Sequence, residues 1–297
     1  MKRLDLPMAD GGESICEQQV RLAELNAKAI ATANHVADQP VAPTSLTNFV
    51  FDINDTTCEP TPTTAYNGLK VTCEFNGITL FLSNILGNSK ADLAITREAR
   101  LDQRVYGFRP TATLPVRMCP IIYTDNWNFA VNANGVAGLI TITVGDNETS
   151  GADSGRLCTL IPTTSSSTGQ AFTGSQILLG LTVTDLSEFG GQFALTDTGM
   201  VRNIKAASPA NSSVLQNVGN SLAGLPNNNR VIVPLGTEID SSTRQITGFA
   251  AGRILSANYA SSTLTVTVEP HLLLSGTALI DAGMPLNPYI GKLYVAP

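Results

Sequence analysis

Leu69-Lys70-Val71-Thr72-Cys73-Glu74-Phe75-Asn76-Gly77-Ile78-Thr79-Leu80-Phe81-Leu82 consists of two short β-type runs joined by an Asn-Gly pair. Asn and Gly tolerate the left-handed backbone that a two-residue turn demands, so the pair predicts a hairpin between strands at 69–75 and 78–82. The same grammar recurs on both sides of it. Strand-like runs bounded by turn residues fall at 47–53, 113–118, 136–144 and 177–184, and again at 201–205, 230–235, 245–249, 254–259, 263–268 and 272–274. Short runs at close spacing, without helices alternating between them, predict a mainly β protein: an antiparallel sandwich or barrel rather than a βαβ fold.

Two segments depart from that pattern. Residues 13–38 are good helix formers in which Ile15, Leu22, Ala29 and Val36 recur every seven positions, with Leu25 and Thr32 between them. This predicts an N-terminal helical arm with a narrow apolar seam, introduced by acidic Glu13 and Glu17 and stopped at Gln39-Pro40. Burial of Ile15, Leu22, Leu25 and Val36 against another subunit or domain is the expected use of the seam. A second helix is expected at 89–103, where Leu93, Arg97, Arg100 and Arg104 stand at helical spacing and Asp92, Glu98 and Asp102 can pair with the basic residues. Two polar stretches, Pro162-Thr163-Thr164-Ser165-Ser166-Ser167-Thr168-Gly169 and the Ser/Asn-rich 209–228, read as surface loops or tethers. The organisation expected is a helical arm at 1–45, a central β-rich domain at 46–228 and a smaller C-terminal β unit at 229–297.

Composition narrows the function. Only 14% of the 297 residues are charged, so the surface must be rich in amides and hydroxyls, and a neutral surface is easiest to keep soluble when neighbouring subunits cover much of it. A net charge of −6 argues against a chain built to neutralise phosphate, so no direct nucleic-acid binding is expected. The longest apolar run, at 136–144, is interrupted by Gly138, Thr141 and Thr143 and falls short of a membrane span. Met1-Lys2-Arg3 starts as a signal peptide would, but Asp5, Pro7 and Asp10 occupy the place of its apolar core, so synthesis without a leader is expected. Five cysteines, Cys16, Cys58, Cys73, Cys119 and Cys158, include no close pair. They read as small buried hydrophobes, with Cys58 and Cys73 able to meet only across an oxidised hairpin.

Several motifs suggest chemistry and fall short of it. Asp153-Ser154-Gly155 and Asp197-Thr198-Gly199 resemble paired protease carboxylates, but about 44 residues separate them and neither follows an apolar strand, so both read as turns. The two histidines, His35 and His271, leave little material for a triad or a zinc site. None of His35, His271, Asp153 and Asp197 is expected to be catalytic. Oxygen ligands crowd Asp146-Asn147-Glu148-Thr149 and Asp153, which allows calcium but lacks EF-hand spacing; a solvated loop is the simpler reading. Tyr123, Trp127 and Phe129 could form a sugar platform, although a single tryptophan in a β protein usually belongs to the core.

The reading that joins these observations is a non-enzymatic structural subunit of a larger assembly, best matched by a bacteriophage virion protein of the capsid, decoration, tail or collar. Its expected partners are copies of itself and other structural subunits, its location the virion after synthesis in the host cytoplasm, and no cofactor or metal is expected. Two alternatives come from other classes. A surface adhesin or carbohydrate-binding β module would share the composition and need an export signal, whereas a particle-associated hydrolase would need a cleft holding two close carboxylates with raised pKa values.

Overall fold

The computed structural model describes residues 35–36, 39–40, 43–49, 68–79, 90–124, 127, 138–146, 154–195, 203–207, 211–226, 230–287 and 289–296. It is mainly β, as expected, and divides into two compact units, Met1–Asp102 with Leu293–Pro297, and Gln103–Lys292.

In the first unit, strands β1 (His35–Val36) and β2 (Gln39–Pro40) pair antiparallel, with His35 opposite Pro40 and Val36 opposite Gln39. The expected helical arm therefore does not reach Asp38: β-branched Val36 lies in a strand. Ile15, Leu22 and Leu25 fall outside the described residues. Strands β3 (Pro43–Phe49), β4 (Gly68–Thr79) and β5 (Lys90–Asp102) form an antiparallel meander.

Two expectations are corrected here. Asn76-Gly77 is not a hairpin turn, because β4 runs through it. Phe75 pairs with Leu93 and Ile78 with Ala91, so three steps on β4 match two on β5, and the Asn-Gly pair supplies the extra residue of a β-bulge. The expected helix at 89–103 is strand β5. Its apolar residues Ala91, Leu93, Ile95, Ala99 and Leu101 alternate with mostly polar ones, and the period of two prevails over helical propensity once a ten-pair ladder with β4 is available. Its charges are arranged for a strand as well. Glu98 lies directly across from Lys70 (3.6 Å) and two residues from Arg100 (2.6 Å), whose hydrogen bond holds the Glu98 carboxyl below the usual carboxylate range.

The second unit contains β6 (Val105–Phe108), β7 (Ile121–Tyr123), β8 (Ile140–Gly145), β9 (Gly155–Pro162), β10 (Phe193–Ala194), β11 (Asn203–Ala206), β12 (Arg230–Asp240), β13 (Thr243–Ala260), β14 (Thr263–Pro270), β15 (Leu273–Leu274) and β16 (Ala278–Ile280). Strand β17 (Ile290–Ala296) follows them. Five of these strands close on themselves. β9 pairs with β7, β7 with β12, β12 with β13, β13 with β11 and β11 with β9, which makes a five-stranded barrel. One seam is parallel, β7 against β12, continued by the bridge from Met118 to Ile232. The barrel is thus not wholly antiparallel, and β15 with β17 is a second parallel pair.

Strand β13 is long enough to serve two partners in turn. Its first residues close the barrel on β11, while Gly252–Ala260 pairs with β14, which in turn pairs with β8, and from Ile254 onward it has left its ladder with β12. The runs expected at 245–249 and 254–259 are therefore one strand. The expected boundary at 228/229 falls inside this unit, where strands from both sides of it share one sheet.

Among the described residues, two α-helices stand where none was expected. α1 (Gly174–Leu179) replaces the strand expected at 177–184. Thr173 accepts from the Gln176 N–H (3.3 Å) while the Gln176 side chain accepts from the Thr173 N–H (2.8 Å), a reciprocal cap that starts a helix locally. Gly180, at φ +94°, stops it, and Leu181 then bridges to Val116. That bridge and the one at Met118 are all that remains of the strand expected at 113–118. α2 (Ser212–Ala223) lies in the stretch read as a loop or tether, with Asn211 as its cap. It buries Leu215, Val218 and Leu222, and Gly219 lets it approach Leu264 of β14. Burial of each leucine contributes roughly 1.5–3 kcal/mol, which outweighs the modest helix propensity of its Ser and Asn residues.

The other polar stretch is a surface loop fixed in place: the Lys205 ammonium donates to the carbonyls of Ser165 (2.6 Å) and Ser167 (2.5 Å). The core of the unit joins the barrel interior to an aromatic cluster in which Phe108 and Phe249 meet edge to face at 5.0 Å and Phe193 meets Phe249 at 6.0 Å. Arg244 is fully buried. It donates to the carbonyls of Asp240 (2.8 Å) and Thr243 (3.2 Å) and lies 4.0 Å from Glu238, which also receives Arg156 at 2.7 Å. A buried guanidinium is tolerable only with such company. Among the described residues, no helix is long and apolar enough to cross a membrane.

Candidate functional site

Two surface features of the second unit stand out. The first is apolar and surrounds the bridge between Val116 and Leu181. Leu114 lies two residues before Val116, and Val183 two after Leu181 on the antiparallel partner. Neither residue belongs to a strand, and they are 52% and 48% exposed where Val116 and Leu181 themselves are buried. Leu179, at the end of α1, is 67% exposed, and Leu178 beside it is exposed as well. Gly180 holds these segments together, since a Cβ there would stand 3.0 Å from Pro115. The two short segments joined by this bridge thus expose four large apolar side chains, an apolar strip along the chain that exceeds the scattered single residues of an ordinary surface.

The second feature is a groove of about 630 Å³ between the segment leading into α1 and one face of α2. Val214, Asn217 and Ser221 recur along that face at helical spacing, joined by Asn220, while Gln170 and Phe172 come from the opposite wall. Leu215 and Leu222 are buried and lie outside the groove lining, Val218 is buried and lines its floor, and Asn217 and Asn220 are exposed. Among the described residues, no charged side chain lines it. Just behind α1, Asp185 accepts from the Gln176 amide (2.8 Å), the Thr182 N–H (2.8 Å) and the Thr182 hydroxyl (2.7 Å). Burial alone would raise its pKa; these hydrogen bonds prevail and hold it below the usual range. Asp185 therefore fixes α1 in place.

The residues singled out from sequence meet varied fates. Asp153, Asp197, Phe129 and the loop at 147–153 fall outside the described residues. Ser154 and Gly155 serve the packing of β8 against β9. Ser154 bonds twice to Thr143 on β8, and a Cβ at Gly155 would stand 2.5 Å from Ile142 and 2.7 Å from Ile121. Asp146 receives the Tyr259 hydroxyl at 3.2 and 3.1 Å. Trp127, 8% exposed, belongs to the core, packed edge to face between Tyr123 and Tyr289, and offers no sugar platform. Cys119 and Cys158 are buried free thiols; burial pushes Cys119 up to about 12 and raises Cys158 too, so both are inert hydrophobes at neutral pH. Cys73 is also free.

His271 lies beside Arg230 (3.4 Å). Arg230 is the cross-strand neighbour of Arg253, and Arg253 pairs with Glu269 at 2.8 Å. Burial first, and the Arg230 charge second, lower the His271 pKa.

Neither surface feature was found from sequence. The reciprocal cap Thr173-x-x-Gln176 and the cap at Asn211 were the available signals, because both helices that frame the groove begin there. Comparison with family models, curated proteins and solved structures gives no match to this chain.

Proposed function

We propose that this chain is a non-enzymatic structural subunit of a larger assembly, and that a bacteriophage particle is the setting its composition fits best, as a capsid, decoration, tail or collar component. The observation that carries the proposal is the exposure of Leu114, Leu178, Leu179 and Val183 on the two segments joined by the Val116–Leu181 bridge, in a chain with few charges. A contact of this kind gains the hydrophobic term at little desolvation cost, because few charges must leave water. Copies of the chain or other structural subunits would cover the strip, and neither nucleic acid nor membrane enters this reading. The arm residues Ile15, Leu22, Leu25 and Val36 remain proposed as a further subunit contact. Native mass determination on protein purified without denaturant tests the proposal: a defined oligomer or particle supports it, and a monomer at all concentrations and in its native source overturns it.

A further inference from the structure

We infer that the groove between α1 and α2 is a binding site for a neutral polyhydroxylated ligand, a saccharide. Three residues with side-chain amides, Gln170, Asn217 and Asn220, line it from two walls, together with the half-buried Ala171 and Val214. An amide presents a donor and an acceptor a bond apart, which matches a pair of neighbouring hydroxyls, each of them also donor and acceptor. The Ser221 hydroxyl adds an acceptor, since its proton is donated to the Asn217 carbonyl at 2.9 Å. The accessible apolar surface of Ala171 and Val214 suits the C–H face of a sugar ring. A volume of about 630 Å³ lies in the range of small-ligand sites.

Other ligand classes fit less well. An anion would find no cationic side chain among the described residues of the lining. An extended peptide needs a free strand edge, and here one wall is a helix whose backbone is already hydrogen-bonded. A helical partner needs an unbroken apolar stripe, whereas the amides interrupt this one. The two asparagines are exposed on the outer face of α2, away from Leu215 and Leu222, so the fold does not require them. This inference does not rest on the assembly reading, and a particle subunit and a monomer could both carry the site.

Ligand-observed magnetic resonance on the full chain tests it, with glucose, galactose, mannose, N-acetylglucosamine and their β-linked disaccharides as probes and N-acetylalaninamide as the peptide probe. The result expected is saturable binding of at least one saccharide that weakens about tenfold in Asn217→Ala and in Asn220→Ala, the equivalent of one or two lost hydrogen bonds. Alanine raises helix propensity at both positions, so thermal unfolding should show the fold intact. The inference is overturned if no saccharide in the set binds, if binding survives both substitutions, or if the peptide probe binds as well as the best saccharide.

Discussion

Ser154 and Thr143 bond each other twice: the Thr143 N–H donates to the Ser154 hydroxyl oxygen at 3.0 Å, and the Ser154 N–H donates to the Thr143 hydroxyl oxygen at 3.2 Å. The Ser154 hydroxyl also donates to the Thr141 carbonyl at 3.3 Å. Strand β8 is the last in its sheet, with β14 on one side only, so its outer N–H and C=O groups would otherwise offer themselves to any passing strand. A side chain from the residue before β9 satisfies them instead.

Ser154→Ala should therefore destabilise the second unit by about 1–2 kcal/mol, through two or three hydrogen bonds of modest net value. Amide hydrogen exchange gives the sharper readout. The Thr143 amide should lose protection selectively while the amides that β8 donates to β14 keep theirs, and equal protection in both proteins would show that the edge is covered by something else.

Gly155→Ala should be worse, because the new methyl would stand within 2.5 Å of Ile142 and 2.7 Å of Ile121 in the middle of the core. Overpacking of this kind costs typically 1–3 kcal/mol, visible as a lower denaturant midpoint with an unchanged slope.

Leu179→Asp and Leu114→Asp should leave the melting temperature nearly unchanged, since both side chains are exposed, yet lower the native mass of the assembled protein. A leucine buried at a contact is worth roughly 1.5–3 kcal/mol, so association should weaken by about tenfold or more per substitution. Unaltered association in both variants would remove the strip as a subunit contact.

Lys205→Met should free the loop at 163–168, whose two carbonyl contacts with the ammonium it removes. Faster cleavage within that loop under limited proteolysis, without a change in the barrel's unfolding, is the outcome expected.

His271 makes stability pH-dependent in a defined direction. Its folded pKa is depressed, so between the unfolded value of about 6.5 and the lower folded value the unfolded chain binds more protons, and stability falls as pH falls through that window. Burial contributes most to this, the Arg230 charge next and Arg253 least, opposed by the Leu272 carbonyl and by Glu269. The melting temperature of His271→Gln should decline less than that of the wild type as pH drops below about 6.5. The depressed carboxylates Glu98 and Asp185 act later: the stability they add is present above the ordinary carboxylate range and is lost as pH falls through their lowered values.

By itself, the sequence determined the class of the fold. Turn-bounded β runs require strands, and those at 230–235 and 263–268, with the described part of 201–205, are strands in the structure, because their period of two and their flanking turns are local properties. It also carried the signals for both helices, in the caps at Thr173 and Asn211, although the Ser- and Asn-rich composition concealed them. What only the tertiary structure decided was pairing. Asn76-Gly77 permits a turn or a bulge equally, and the ladder between β4 and β5 selected the bulge. The charges of 89–103 suit a helix or a strand equally, and the ten-pair ladder with β4 selected the strand. Closure of the barrel, the apolar strip and the amide groove arise from contacts between segments far apart in the chain, such as Val116 with Leu181 and β9 with β11. No local pattern encodes those contacts, because the free energy that selects them comes from surfaces buried together only once the whole unit has folded.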